Sequence, residues 1–237
     1  MMKLMILSAT PWGSVFIKEN IPGIETKKLP GLAVHSGKLG GQWVALVEMN
    51  EEEDVPDFGG SLVDGIDPEY IVSLGEAYSC KKSLGIGDMV ISSGGAFLET
   101  SKPNELGDAR ADQKLIDLGL KAVERFNNDD RLCKVVVGTV FLNPGTAKTG
   151  RKLNFLPQKD IYCIDHNGFP FTRWLVNNKT PFVMVRTIVP VPAKNRPVDV
   201  TQLKWDMAKR NFWFVKGILE GLKKIRTKET VGKVDLI

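Results

Sequence analysis

Residues 161–191 read IYCIDHNGFPFTRWLVNNKTPFVMVRTIVPV. Two apolar runs, Ile161–Ile164 and Phe182–Ile188, flank a short segment that can be helical. Both runs are rich in β-branched residues and bounded by turn formers, the pattern of buried strands. The first runs into Asp165-His166-Asn167-Gly168 and the second into Val189-Pro190. In open α/β sheets functional groups collect where strands end. Both ends are therefore candidate walls of a site.

Further strands read outward from this pair. Lys3–Ser8 is the first central strand, and Ser14–Asn20 after it is a short helix capped by Ser14. Leu32–Ser36 and Gln42–Glu48 form a hairpin, with Gly37, Gly40 and Gly41 in the turn. Tyr70–Leu74 is a central strand that ends in Gly75-Glu76-Ala77-Tyr78, where a glycine lets the chain turn at the sheet edge. Gly87-Asp88 makes a tight turn into the next strand. Phe97–Gly107 reads as a loop and Lys134–Leu142 as a strongly apolar strand. Asp112–Asn127 carries an apolar stripe at helical spacing, Leu115, Leu118, Ala122, Val123 and Phe126. Thr201–Ile225 is the last helix, with Thr201 as its N-cap. Trp205, Phe212 and Trp213 give it more apolar surface than one core face needs, which suggests a subunit interface.

The order of strands and four short motifs resemble the purine nucleoside phosphorylase and nucleosidase superfamily. There the equivalent first run leads into Asp/Glu-Met-Glu-Gly/Ala, against Asp165-His166-Asn167-Gly168 here. The second leads through Val-Arg-Ala-Ile-Ser-Asp, against Val185-Arg186-Thr187-Ile188-Val189-Pro190. Leu74–Tyr78 and Leu84–Ser92 echo its two glycine turns. The resemblance implies one domain over residues 1–237. It implies a three-layer α/β/α sandwich with a central mixed, partly barrel-like sheet.

The resemblance also implies a site built from Ala9–Gly13, Gly75–Tyr78, Asp165–Asn167 and Val189–Val191. Glu76 and His166 are its candidate catalytic residues. A carboxylate beside a glycosidic centre stabilises oxocarbenium charge or acts as a base, and an imidazole transfers protons near neutral pH. Trp12, Gly75, Ala77, Asp165 and Asn167 are the candidate ligand contacts, with Trp12 offering a stacking face. Arg186 matches a buried strand arginine whose role is structural. Three functional acids of the superfamily fall on Gly13, Asn167 and Pro190. Two functions stay open: a divergent nucleosidase that hydrolyses an N-ribosyl bond, and a catalytically silent homologue that binds a nucleoside-like ligand or has a structural role.

The rest of the sequence narrows the partners. The 237 residues carry a formal charge of +4 with basic residues scattered, which argues against nucleic acid. Glu51, Glu52 and Glu53 would repel phosphate, so hydrolysis is expected over phosphorolysis. Adjacent acids of this kind read as a solvated loop and not a metal site. Cys80, Cys133 and Cys163 have no metal-ligand spacing, and His35 lies inside a strand. No metal or cofactor is expected. The apolar start is too short for a membrane span, and free thiols suit a cytoplasmic protein. A homo-oligomer is expected.

Overall fold

The computed structural model describes residues 2–49, 65–98, 106–126, 133–142, 160–165, 179–191 and 199–234. Ten strands form one sheet: β1 Lys3–Ser8, β2 Glu25–Leu29, β3 Leu32–Leu39, β4 Gln42–Met49, β5 Tyr70–Ser79, β6 Met89–Leu98, β7 Leu106–Arg110, β8 Val135–Leu142, β9 Ile161–Asp165 and β10 Phe182–Ile188. A 3-10 turn, Pro11–Ser14, leads into helix α1 Val15–Glu19. Helix α2 spans Gln113–Phe126 and helix α3 spans Thr201–Val234.

The strand order is β10-β6-β8-β9-β5-β1-β4-β3-β2, and β10 also pairs with β5. That extra pairing closes β5, β10, β6, β8 and β9 into a five-stranded barrel. The arm β1-β4-β3-β2 extends from β5. β1 runs parallel to both β4 and β5, and β10 runs parallel to β5. The fold is thus mixed α/β with a partly barrel-like sheet, as the sequence implies.

Side chains alternate across these strands. Leu4 and Ile6 of β1, Val72 and Leu74 of β5, and Val183 and Val185 of β10 share one core with α1, α2 and α3. Met5 and Leu7, Ile71 and Ala77, and Phe182 and Met184 form the other core with Val140, Leu142 and Cys163. The stripe on α2 faces the first core through Leu115 and Val123, and α3 does so through Phe214, Ile218 and Leu222. The segment between β9 and β10 that can be helical falls almost wholly outside the described residues.

Several element ends differ from the sequence reading. β5 does not turn at Gly75 but runs on to Ser79. Barrel closure supplies the reason: β10 pairs with it from Ile71 to Ala77, and β9 takes Tyr78 and Ser79. β6 likewise reaches Leu98 and β7 begins at Leu106, so both ends of the expected 97–107 loop are strand. Gly37 belongs to β3, and the hairpin turns on Gly40 and Gly41 alone, with φ of +59° and +79°. Ser14 does not cap α1 with its side chain. Its backbone, at φ −116° and ψ 3°, continues the preceding turn and lacks the extended form of a cap. At α3 the cap acceptor is Asp199, whose Oδ1 takes the Thr201 N–H at 2.9 Å. The Thr201 N–H, and after it the Thr201 hydroxyl, hold the Asp199 carboxyl below its usual range. α3 continues to Val234, past the expected end at Ile225.

Candidate functional site

The parallel strands β4, β1, β5 and β10 run in one direction, and several buried or part-buried polar residues lie toward their C-terminal ends. Ser8 lies opposite Glu48 on one side and Leu74 on the other. Thr187 lies opposite Glu76. By alternation, Ser8, Glu48, Glu76 and Thr187 all project on the face that meets the helices. The expected site residues Trp12, Gly75, Glu76 and Ala77 sit at this same edge. His166 and Asn167 lie outside the described residues.

Glu76 is partly buried. Its neighbour on the same face, Tyr78, reports its charge. Burial first, and then the Glu76 carboxylate, raise the Tyr78 phenol above its ordinary range. The phenol therefore stays protonated at neutral pH, as a hydrogen-bonding group and not a base. Gly75 and Ala77 are buried on the opposite face. A side chain at Gly75 would come within 3.4 Å of Ala9 Cβ and of Arg186 Nε. The glycine thus leaves room for the arginine.

Arg186 and Asp165 form a closed pair, each 0% exposed. Arg186 Nε and Nη2 both reach Asp165 Oδ2 at 2.7 Å. Nη2 also donates to Ser73 Oγ at 3.0 Å. Nη1 donates to Ser73 O at 3.0 Å and Val185 O at 2.9 Å. A guanidinium has five N–H groups; four hydrogen bonds and the Nη2 ion pair hold this one within the protein. Arg186 is also fully buried and so presents no surface to an anion. Asp165, expected at the ligand, lies in the interior, and its pairing ties the end of β9 to β5 and β10.

The turn after β1 is held from several sides. Ser8 Oγ donates to Thr10 O at 2.7 Å, and Asn211 Nδ2 of α3 donates to Gly13 O at 3.0 Å. Lys204 Nζ lies 5.2 Å from the centre of the Trp12 ring, a cation–π contact that occupies one side of the indole. At Gly13 an added Cβ would meet Thr10 Oγ1 at 3.0 Å, Ser8 Oγ at 3.4 Å and Asn211 Nδ2 at 3.6 Å. The space that a side chain at this position would enter is filled by polar neighbours.

The sequence reading missed Glu48. It is buried, and Ser14 Oγ donates to its Oε1. Its Oε2 takes Lys18 Nζ and His35 Nε2, each at 2.9 Å. On its other side, His35 Nδ1 lies 2.9 Å from the Thr26 hydroxyl. His35 is thus a buried strand residue, as expected. A nucleophilic serine needs the imidazole next to its hydroxyl. Here the carboxylate stands between them, so this is not a serine-nucleophile arrangement. An acid three residues ahead of the Glu51–Asp54 cluster gave no signal amid the run of acids that follows it.

The three thiols are all shifted away from the thiolate form. Burial raises Cys80 and Cys133, and raises Cys163 most. Among the described residues, no group of three or more His, Cys, Asp or Glu side chains is placed to hold a metal ion. No described helix is long and apolar enough to cross a membrane.

No family model matches the sequence. Solved structures do match the fold. A 5′-methylthioadenosine/S-adenosylhomocysteine nucleosidase from Colwellia psychrerythraea, in complex with adenine, is 19% identical with a TM-score of 0.69, over 93% of this chain and 96% of that one. The Neisseria meningitidis nucleosidase of the same kind, with methylthio-immucillin-A, gives 14% and 0.71, over 92% and 99%. A futalosine hydrolase mutant from Helicobacter pylori gives 14% and 0.72, over 93% and 99%. Over about nine tenths of its length, the chain has the nucleoside phosphorylase/nucleosidase fold.

Proposed function

We propose that this protein is a nucleosidase that hydrolyses the N-ribosyl bond of a nucleoside-like substrate. The observation that carries the reading is the likeness to N-ribosyl hydrolases over nearly all of both chains, joined to a carboxylate, Glu76, at the shared edge of β5 and β10. In the reaction, water adds its oxygen to C1′ as the C–N bond breaks. The carboxylate of Glu76 takes the water proton and faces the developing ribosyl cation. The leaving base gains a proton from His166 or from solvent, since Pro190 has none to give. Trp12 offers its open side to the ligand and Asn167 is its polar contact, while Gly75 and Ala77, buried on the far face of β5, support the strand that carries Glu76. Asp165 acts through Arg186, by fixing the end of β9 from which His166 and Asn167 follow.

Hydrolysis is favoured over phosphorolysis because Arg186 is fully buried and engaged by Asp165, Ser73 and Val185, which keeps its charge away from a phosphate. The partner is a nucleoside-like small molecule. The three free cysteines suit a reducing cytoplasm. Trp205 at 51% and Trp213 at 39% exposure suit an interface between copies.

A second reading, a silent nucleoside binder, is favoured by Gly13. The space there is closed, and Glu76 must then carry the charge alone. Calorimetry and turnover with 5′-methylthioadenosine separate the two. A hydrolase binds it and loses turnover, but not binding, on Glu76→Gln. Binding with no turnover in the unmodified protein would leave only the silent reading.

A further inference from the structure

The turn Thr10–Ser14 has no anchoring side chain at Gly13, and it receives one from a neighbouring strand. Glu48, the second-last residue of β4, lies directly beside Ser8. Its Oε1 accepts from Ser14, and its Oε2 accepts from Lys18 on the following helix. The same oxygen accepts from His35, which continues to Thr26 on β2. An ionised carboxylate is costly to bury unless each oxygen meets donors. Three donors meet this one, and two of them come from the β1–α1 connection.

We infer that Glu48 is a positioning residue: its buried carboxylate fixes the β1–α1 connection through Ser14 and Lys18, and so fixes how Trp12 meets a ligand. The inference rests on the reading of Trp12 as part of the ligand site. Ser14 Oγ also lies 3.1 Å from Pro11 O. A hydroxyl has one hydrogen, and a charged acceptor outcompetes a carbonyl. Without the carboxylate the Ser14 hydroxyl turns back onto its own turn, Lys18 returns to solvent, and the link from turn to sheet is lost. Trp12, two residues before Ser14, then keeps the Lys204 contact, with the turn held by the Asn211 bond to Gly13 and the Ser8 bond to Thr10.

A merely structural cluster would stiffen the hairpin and the turn alike. The two roles separate at the ends of the network, because Ser14 belongs to the turn and Thr26 to the hairpin. The test uses Ser14→Ala, which leaves Glu48 two donors, and Thr26→Val, which removes only the far end. Indole N–H signals are followed by NMR, with the Trp12 signal identified by its loss in Trp12→Phe. Binding of 5′-methylthioadenosine is measured by calorimetry. Ser14→Ala is expected to move the Trp12 signal and weaken binding roughly 2- to 12-fold, the worth of one hydrogen bond. Thr26→Val is expected to change neither. A Trp12 signal that stays put in Ser14→Ala, or moves equally in both variants, overturns the inference. If the unmodified protein binds no 5′-methylthioadenosine while Ser14→Ala alone moves Trp12, the positioning stands and the nucleosidase reading fails.

Discussion

Replacing Asp165 by Asn tests whether the β9 aspartate is a clamp or a ligand contact. The substitution keeps the shape and removes the charge. Both members of the pair are 0% exposed, so the Arg186 charge is left buried without a counter-charge. Breaking a buried pair from one side costs about 3–5 kcal/mol. Ser73 and Val185 still occupy three of the five N–H groups, which places the loss near the lower end, about 3 kcal/mol. At about 2–4 °C per kcal/mol for a chain of this size, the melting temperature falls by roughly 6–12 °C. Urea unfolding gives the free energy, and a thermal melt gives the shift. Asp165→Leu combined with Arg186→Met, which removes both charges, recovers much of the loss. A fall of under about 1 kcal/mol, accompanied by lost nucleoside binding, would refute the clamp and make Asp165 a ligand group.

Three further outcomes follow from the same geometry. Thr187 is 0% exposed, and among the described residues its Oγ1 has no hydrogen-bond partner; Thr187→Val should stabilise the protein by about 1 kcal/mol in urea unfolding, and an equal loss would reveal a partner. Of the three cysteines only Cys80 is exposed, so a thiol reagent should label one site in the native protein and three in denaturant, with two native sites contradicting the burial. The Asp199 carboxyl is depressed in the folded state, so its contribution to stability is present above the unfolded value of about 3.9 and is lost as pH falls through the folded one. Asp199→Ala should therefore lower the melting temperature at pH 7, with a gap that closes in acid; a gap independent of pH would contradict the cap.

Strands that are buried on both faces were legible in the sequence. Phe182–Ile188 is seven residues long, buried throughout, and was bounded to the residue. β2 was not read, because Glu25–Leu29 is an exposed edge strand of charged and polar residues with no apolar alternation. The extension of β5 through Gly75 was hidden for another reason. A glycine in the sequence signals a turn, but here the pairing of β5 with β10 and β9 overrides that local preference. Barrel closure is a long-range event that no local window contains. At the site, Glu76 and Trp12 were singled out through the resemblance, and they lie inside β5 and in the 3-10 turn after β1. Glu48 was not, because its meaning depends on Ser14, Lys18 and His35 arriving from three other elements. His166 and Asn167 were read from the sequence and lie outside the described residues.

The most direct test of the central claim is chromatographic detection of free base. The protein is incubated with purine and pyrimidine nucleosides and their 5′-thio and 5′-deoxy analogues, with and without phosphate. Hydrolysis at the β5 edge predicts base release without phosphate, abolished in Glu76→Gln. Release only when phosphate is present, or no release from any of these nucleosides, would contradict it.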